Sequence, residues 1–206
     1  MTDYFALFGE PRRPWLDPEE LKAKFLTFTA EVHPDRFHNA AEAEKQAAGH
    51  RYTELNAAYN CLREAKVRLS HLLELELGAR PPEVRPIPPA TMDLFNQVNQ
   101  LCREADVFLG GKTAATSPLL KVQMFEMGLA LTEKLNARLQ ELSARREALT
   151  EQMKLLNLAW ESAPPVGSPA RINVLPCARL EHIYREFSFL TRWREQLQER
   201  VVRISF

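Results

Sequence analysis

Apolar residues recur every three or four positions along nearly the whole chain, the spacing that places them on one face of an α-helix. Leu21, Phe25, Phe28 and Val32 form one such stripe, and Ala48, Tyr52, Leu55, Tyr59 and Leu62 form another. A shorter one holds Val67, Leu72 and Leu73 and ends at Gly78, a residue suited to the position after a helix C-terminus. Leu94, Val98, Leu101, Ala105 and Phe108 follow, and Gly110-Gly111 predicts a break. From Pro118 to about Ser162 the seam Leu135, Leu139, Leu142, Arg146, Leu149, Met153, Leu156, Trp160 alternates steps of four and three. Leu180, Ile183, Phe187, Leu190, Arg194, Leu197, Val201 and Ile204 repeat the scheme to the end of the chain. Two seams of that period joined by a turn predict an antiparallel coiled-coil hairpin, either continuous or broken near Gly128. Arg146 and Arg194 lie on the seams, where their stems can be buried and their charges reach outward.

Punctuation refines the elements. Asp17-Pro18-Glu19-Glu20 predicts a helix start, with an acceptor at the N-cap and proline at the first helical position. The helix that follows must stop near His33, because the residue before Pro34 is pushed out of the α region. Asn39 with Glu42 predicts a second capped start. Prolines cluster in 81–89 and again in 164–176. The first cluster reads as a semi-rigid linker between an N-terminal domain, residues 1–78, and a C-terminal helical domain, residues 90–206. The second reads as the turn of the hairpin. With no alternating strand pattern, the fold class is all-α: a four-helix domain, a Pro-rich linker over 79–89, and a three-helix bundle with an elongated hairpin.

Composition narrows the function. The 206 residues carry 27 Lys plus Arg and 27 Asp plus Glu, a zero net charge that argues against a nucleic-acid partner. No window is apolar enough to span a membrane and no basic-then-apolar leader opens the chain, so cytoplasmic localisation is expected. Cys61, Cys102 and Cys177 are far apart and never in C-x-x-C, which predicts neither a disulfide framework nor a metal site. No cofactor-binding pattern and no nucleophile–base set appears, so the chain is not expected to be an enzyme.

His33-Pro34-Asp35 is the motif with chemistry to offer. Pro34 stiffens the turn and fixes where its neighbours point. Asp35 is then a carboxylate on a short exposed turn, suited to a bidentate arginine on a partner. His33 can cap the end of the preceding helix. The tripeptide between two amphipathic helices, followed by Arg36-Phe37, resembles the J domain, the module that activates DnaK-type (seventy-kilodalton heat-shock class) ATPase chaperones.

The resemblance extends further. Asp3-Tyr4-Phe5-Ala6-Leu7-Phe8-Gly9 with Pro11 is similar to the opening of the HscB co-chaperone subfamily. So are Leu55-Asn56, Ala58-Tyr59 and Leu62-Arg63, then Arg68 with Leu72-Leu73, and the late run from Phe187 through Phe189 and Leu190 to Trp193.

That resemblance implies a co-chaperone that stimulates a DnaK/HscA-type ATPase and delivers an IscU-type iron–sulfur scaffold, with the alternative that the coiled-coil arm serves dimerisation or another client. It implies chaperone contacts at His33, Pro34, Asp35, Arg36, Lys22 and Lys24, with Arg12 and Arg13 adding positive charge. Thr27 and Glu31 stand where many J domains carry Lys or Arg, so the basic face is reduced. For the client, the resemblance implies a patch of Leu94, Phe95, Val98 and Phe189, with Asn96, Asn99 and Cys102 where the subfamily has acidic residues. Leu94 and Val98 fall on the core seam, leaving Phe95 and Phe189 as the expected exposed anchors. A hairpin that closes on itself favours a monomer over a dimer.

Overall fold

In the computed structural model, residues 2–81, 87, 89–112 and 117–205 are described; Pro82 to Pro86 and Pro88, most of the linker, lie outside them. Every regular element among the described residues is helical. The elements are α1 (Tyr4–Leu7), α2 (Pro18–Glu31), a 3-10 turn (Pro34–Phe37), α3 (Glu42–Arg63), α4 (Ala65–Leu77), α5 (Met92–Lys112), α6 (Pro118–Glu161), α7 (Arg171–Val174) and α8 (Cys177–Ser205). A short 3-10 turn, Pro89–Thr91, precedes α5.

The start of α2 is built as its sequence dictates. Asp17 accepts the Glu19 and Glu20 amides through its carboxylate, Pro18 needs no amide partner, and Glu19 and Glu20 oppose the positive helix end. Gly78 closes α4 at φ 73°, a left-handed conformation that glycine adopts without penalty.

Two expectations fail for identifiable reasons, and one alternative left open by the sequence is decided. The N-cap of α3 is Ala41, without a side-chain cap, because residues 38–40 are taken up by the turn that closes the preceding loop. Glu42 and Glu44 instead sit in the first turn and oppose its dipole. Gly110-Gly111 does not break α5, which runs on to Lys112. The local cost of two glycines, about 1 kcal/mol each, is small at a helix end held by Lys112, whose ammonium donates to the Ile204 carbonyl at 2.9 Å. Of the two alternatives for the long helix, the continuous one holds: Gly128 does not interrupt α6. A Cβ there would stand 3.0 Å from Phe108 Cζ, so the glycine serves close packing on α5.

The described residues form two compact units, Met1–Pro82 with Thr150–Tyr184, and Glu83–Leu149 with Arg185–Phe206. This division differs from one at the proline linker, since the turn of the hairpin groups with the N-terminal segment. In that unit Phe5, Phe8, Leu55, Leu62, Leu72 and Leu73 are buried. Phe25 stacks on Tyr59 with centroids 4.1 Å apart, while the His33 ring meets Tyr52, so α2 and α3 run antiparallel with the intervening loop at one end. Arg68 is buried, its Nε donating to the Pro14 carbonyl at 2.9 Å and its Nη1 to the Leu62 carbonyl. Asn157 clips the backbone of Trp15 from both sides, accepting its N–H at 3.0 Å and donating to its carbonyl at 2.9 Å. Arg171 forms a two-pronged pair with Glu76.

In the second unit α5 runs antiparallel to α6, with Glu104 near Lys134 and Phe108 against Gly128. It runs parallel to α8, where Arg200 pairs with Asp106 at 2.8 Å and also donates to the Cys102 carbonyl. Arg146 lays its guanidinium over Phe187 at 4.8 Å, combining stem burial with a cation–π contact. Arg194, placed on the seam by its spacing, is exposed.

Candidate functional site

The His33-Pro34-Asp35 loop is a small, internally bonded turn. His33 is extended (φ −60°, ψ 131°), as the proline after it requires, and Pro34 opens the 3-10 turn. The Asp35 amide donates to His33 Nδ1 at 3.3 Å, so the imidazole acts as the turn's N-cap. An Nδ1 that accepts an N–H carries no proton of its own, so its 3.6 Å approach to Asp35 Oδ2 is not an ion pair in this arrangement. The Arg36 amide donates to the His33 carbonyl at 3.0 Å, and His38 Nδ1 lies 2.9 Å from the Asp35 carbonyl. Arg36 Nη1 reaches back to the Ala30 carbonyl at 3.1 Å, tying the loop to the last turn of α2. Every neighbour of Asp35 is thus occupied in shaping the loop. The Asp35 side chain itself is 91% exposed. A carboxylate presented on a fixed backbone with nothing covering it is suited to a charge-assisted contact with a partner's arginine.

The face of α2 carries less positive charge than its sequence offers. Lys24 pairs with Glu10, a largely buried carboxylate that also takes Arg13 at 3.3 Å. Arg12 is held by Asp3 at 2.8 Å and lies 3.8 Å from Glu76. These three cations therefore serve the N-terminal unit's own ion pairs. Lys22 is exposed, and no ion pair is described for it. One helical turn on, Leu26 is 57% exposed, giving the face an apolar element beside Lys22. The apolar stripe hides this residue, because Leu26 stands one position past Phe25 and contributes nothing to the core. Its off-stripe position was the available signal.

The expected client patch forms only in part. Leu94 and Val98 are buried on the core seam. Phe189 is 4% exposed and is no surface anchor, which corrects the expectation. It stacks on buried Trp193 with centroids 5.6 Å apart, and half-buried Phe95 approaches the same indole at 6.0 Å. The reason is geometric: α8 packs against both α5 and α6, so it needs an apolar face wider than one 4–3 seam, and Phe189 and Trp193 supply the extra width. Phe95 and Phe189 each lie against Trp193, a residue that the seam count omits. Asn96 is exposed and Asn99 half-buried, while Cys102 is buried and presents nothing to a partner.

Among the described residues no group of three or more His, Cys, Asp or Glu stands where it could hold a metal. No helix among them is long and apolar enough to cross a membrane. Burial pushes the Cys61 thiol up to about 11 and raises those of Cys102 and Cys177, so none is a ready thiolate.

No family model matches the chain. The co-chaperone protein HscB homolog of Azoarcus sp. (strain BH72) is 41% identical over 73 residues, 35% of this chain and 41% of that protein. Among solved structures, human co-chaperone HscB aligns with a TM-score of 0.63 at 18% identity, over 98% of this chain and 81% of that one. The chain resembles the HscB co-chaperones. Chaperone HscB from Vibrio cholerae also aligns, with a TM-score of 0.53 at 22% identity, over 97% of this chain and 99% of that one. At these identities the two HscB structures speak for the shared all-α fold. The sequence match spans about two fifths of the curated HscB relative's length.

Proposed function

We propose that this chain is a J-domain co-chaperone acting in the cytoplasm, with residues 1–78 as the J domain. It stimulates the ATPase of a DnaK/HscA-type chaperone and hydrolyses nothing itself. The observation that carries the reading is the loop: His33, Arg36 and His38 are spent on holding the turn, and Asp35 is left projecting. Asp35 makes the partner contact, Pro34 and His33 set its position, and Lys22 with Leu26 extends the surface along α2. Lys24 acts through its pair with Glu10 rather than as a free charge.

The client is an IscU-type iron–sulfur scaffold, received at half-buried Phe95, which buried Phe189, Trp193, Leu94 and Val98 support from beneath. This follows from the HscB resemblance, and Phe95 is the patch's accessible part. The missing acidic complement at Asn96 and Asn99 predicts weaker, less salt-sensitive client binding. A second reading, in which the hairpin serves dimerisation or a different client, is favoured by an uncovered apolar face on α6.

The test is steady-state ATP hydrolysis by a DnaK/HscA-type chaperone with and without the full chain. Asp35→Asn should leave far-UV dichroism and melting unchanged, since the side chain touches little, and should abolish stimulation. Stimulation retained by Asp35→Asn overturns the assignment.

A further inference from the structure

The first three turns of α6 are apolar on two sides. Met124, Gly128, Leu131 and Leu135 face α5 and α8, and Gly128 is pressed against Phe108 and Ile204. Beside that face Val122, Phe125 and Leu129, continuing the step from Pro118, form a second stripe with spacings of four, three and four. Among the described residues nothing covers that stripe: Val122 is 57%, Phe125 67% and Leu129 52% exposed, and neighbouring Leu119 is 71% exposed. Phe125 and Leu129 also line one wall of an open cavity of about 560 Å³ between the start of α6 and the end of α8. A helix segment apolar on both faces is ordinarily a buried one.

Charge placement indicates what buries it. Between Pro118 and Thr132 the only charged residues are Lys121 and Glu126. They flank the stripe on opposite sides, and among the described residues no ion pair engages either. With Val122 and Leu129 at the a positions of a heptad and Phe125 at d, Lys121 is a g residue and Glu126 the e residue five positions on. That i-to-i+5 relation is the one by which two parallel helices exchange charges across their seam, so Lys121 of each copy meets Glu126 of the other. The four exposed side chains would contribute an area of roughly 500 Å² per copy, or about 1,000 Å² in all, the lower limit of a specific interface.

We infer that a second copy of this chain occupies this face, in a weak two-fold dimer through parallel pairing of residues 118–131. The contact is isologous: Val122, Phe125 and Leu129 each meet their own counterpart, and the two Lys121–Glu126 pairs fix the register. The modest area makes association concentration-dependent rather than obligate.

Sedimentation of the full chain between about 1 and about 300 µM should show mass rising from monomer toward dimer. Phe125→Glu should keep the chain monomeric over that range with unchanged dichroism, because Phe125 lies outside the bundle core. Lys121→Glu and Glu126→Lys, each turning two attractive pairs into repulsive ones, should weaken association about five- to ten-fold. The double exchange should restore it. In a Cys177→Ser background, which removes the half-buried thiol and leaves Cys61 and Cys102 buried, Leu129→Cys should cross-link to its counterpart on mild oxidation while the background chain alone does not. A monomer throughout, or full association by Phe125→Glu, overturns the proposal, as does a double exchange no better than its parents. A dimer in which Leu129→Cys fails to cross-link overturns the parallel register.

Discussion

Removal of the Arg171 guanidinium measures how strongly the turn after the long helix is built into the N-terminal unit. Arg171 Nε and Nη2 donate to the two carboxylate oxygens of Glu76 at 2.9 and 2.8 Å, and Nη1 donates to the Pro164 carbonyl at 2.8 Å. The two side chains are 8% and 3% exposed. The hydrogen bond to Glu76 raises the Arg171 pKa above its already high value, so the guanidinium is charged at every pH of interest. Arg171→Met keeps the stem and deletes the charge, leaving Glu76 buried and the Pro164 carbonyl without its donor. Losing one partner of a buried pair costs about 3–5 kcal/mol. Arg12, 3.8 Å from Glu76, offers partial compensation, which places the expected loss near about 3 kcal/mol. At about 2–4 °C per kcal/mol for a chain of this size, calorimetry should show the transition lowered by about 6–12 °C. Adding Glu76→Leu removes the stranded carboxylate, and the double variant should melt well above Arg171→Met alone. A single variant within about 2 °C of the native chain, or a double variant no better than the single, would refute the reasoning.

Two further outcomes are expected. Phe189→Ala should cost roughly 3–5 kcal/mol of stability, because it empties the stack on Trp193, whereas half-buried Phe95→Ala should cost less stability and weaken binding of an IscU-type scaffold instead; paired denaturation and binding measurements on both variants check this, and equal stability losses would count against Phe95 as the accessible part. His71 accepts the Tyr4 amide at its Nε2 and burial lowers its pKa below 6.5, so as pH falls through about 6.5 the unfolded chain takes the proton first. Stability should therefore be complete above that pH and decline below it, and His71→Gln should flatten that acid-side slope in denaturant titrations.

The helices were legible because each buries one stripe, and a stripe of period 3.6 survives in the sequence whatever the stripe packs against. Asp17-Pro18 and Gly78 were legible for a different reason: each carries its own local chemistry, a carboxylate acceptor in one case and a left-handed φ in the other. Gly110-Gly111 and Asn39-Glu42 misled because their signals are local preferences of about 1 kcal/mol, which tertiary contacts such as that of Lys112 with the Ile204 carbonyl override. What no pattern within one helix could show is which other element it meets. The bond between Asn157 and Trp15 joins residues 142 positions apart, and the Arg171–Glu76 pair joins residues 95 apart. Both place the hairpin turn with the N-terminal unit rather than with the bundle, and neither leaves a periodic trace. Phe189 failed on the same ground, since its burial depends on α8 having two neighbours rather than one.

The surface proposed to meet a chaperone shows how such hidden pairings change a functional reading. Counted in sequence, Arg12, Arg13, Lys22, Lys24 and Arg36 make a respectable basic face. In the folded unit Asp3, Glu10 and Glu76 take up Arg12, Arg13 and Lys24, and Arg36 bonds to the Ala30 carbonyl. A cation neutralised within about 4 Å contributes little field beyond a Debye length of about 8–10 Å, so long-range steering by this face is weak. On the proposed reading, recognition then leans on short-range contacts: the fixed carboxylate of Asp35, the exposed methyls of Leu26, the ammonium of Lys22 and the guanidinium of Arg36, whose charge the neutral Ala30 carbonyl does not cancel. If this face docks a chaperone as proposed, such groups act after encounter rather than before it, and discrimination among chaperones should reside in the dissociation rate. That expectation is checked by the association rate, which should change little with salt while Leu26→Ala raises the dissociation rate; a rate that falls steeply with salt would refute it.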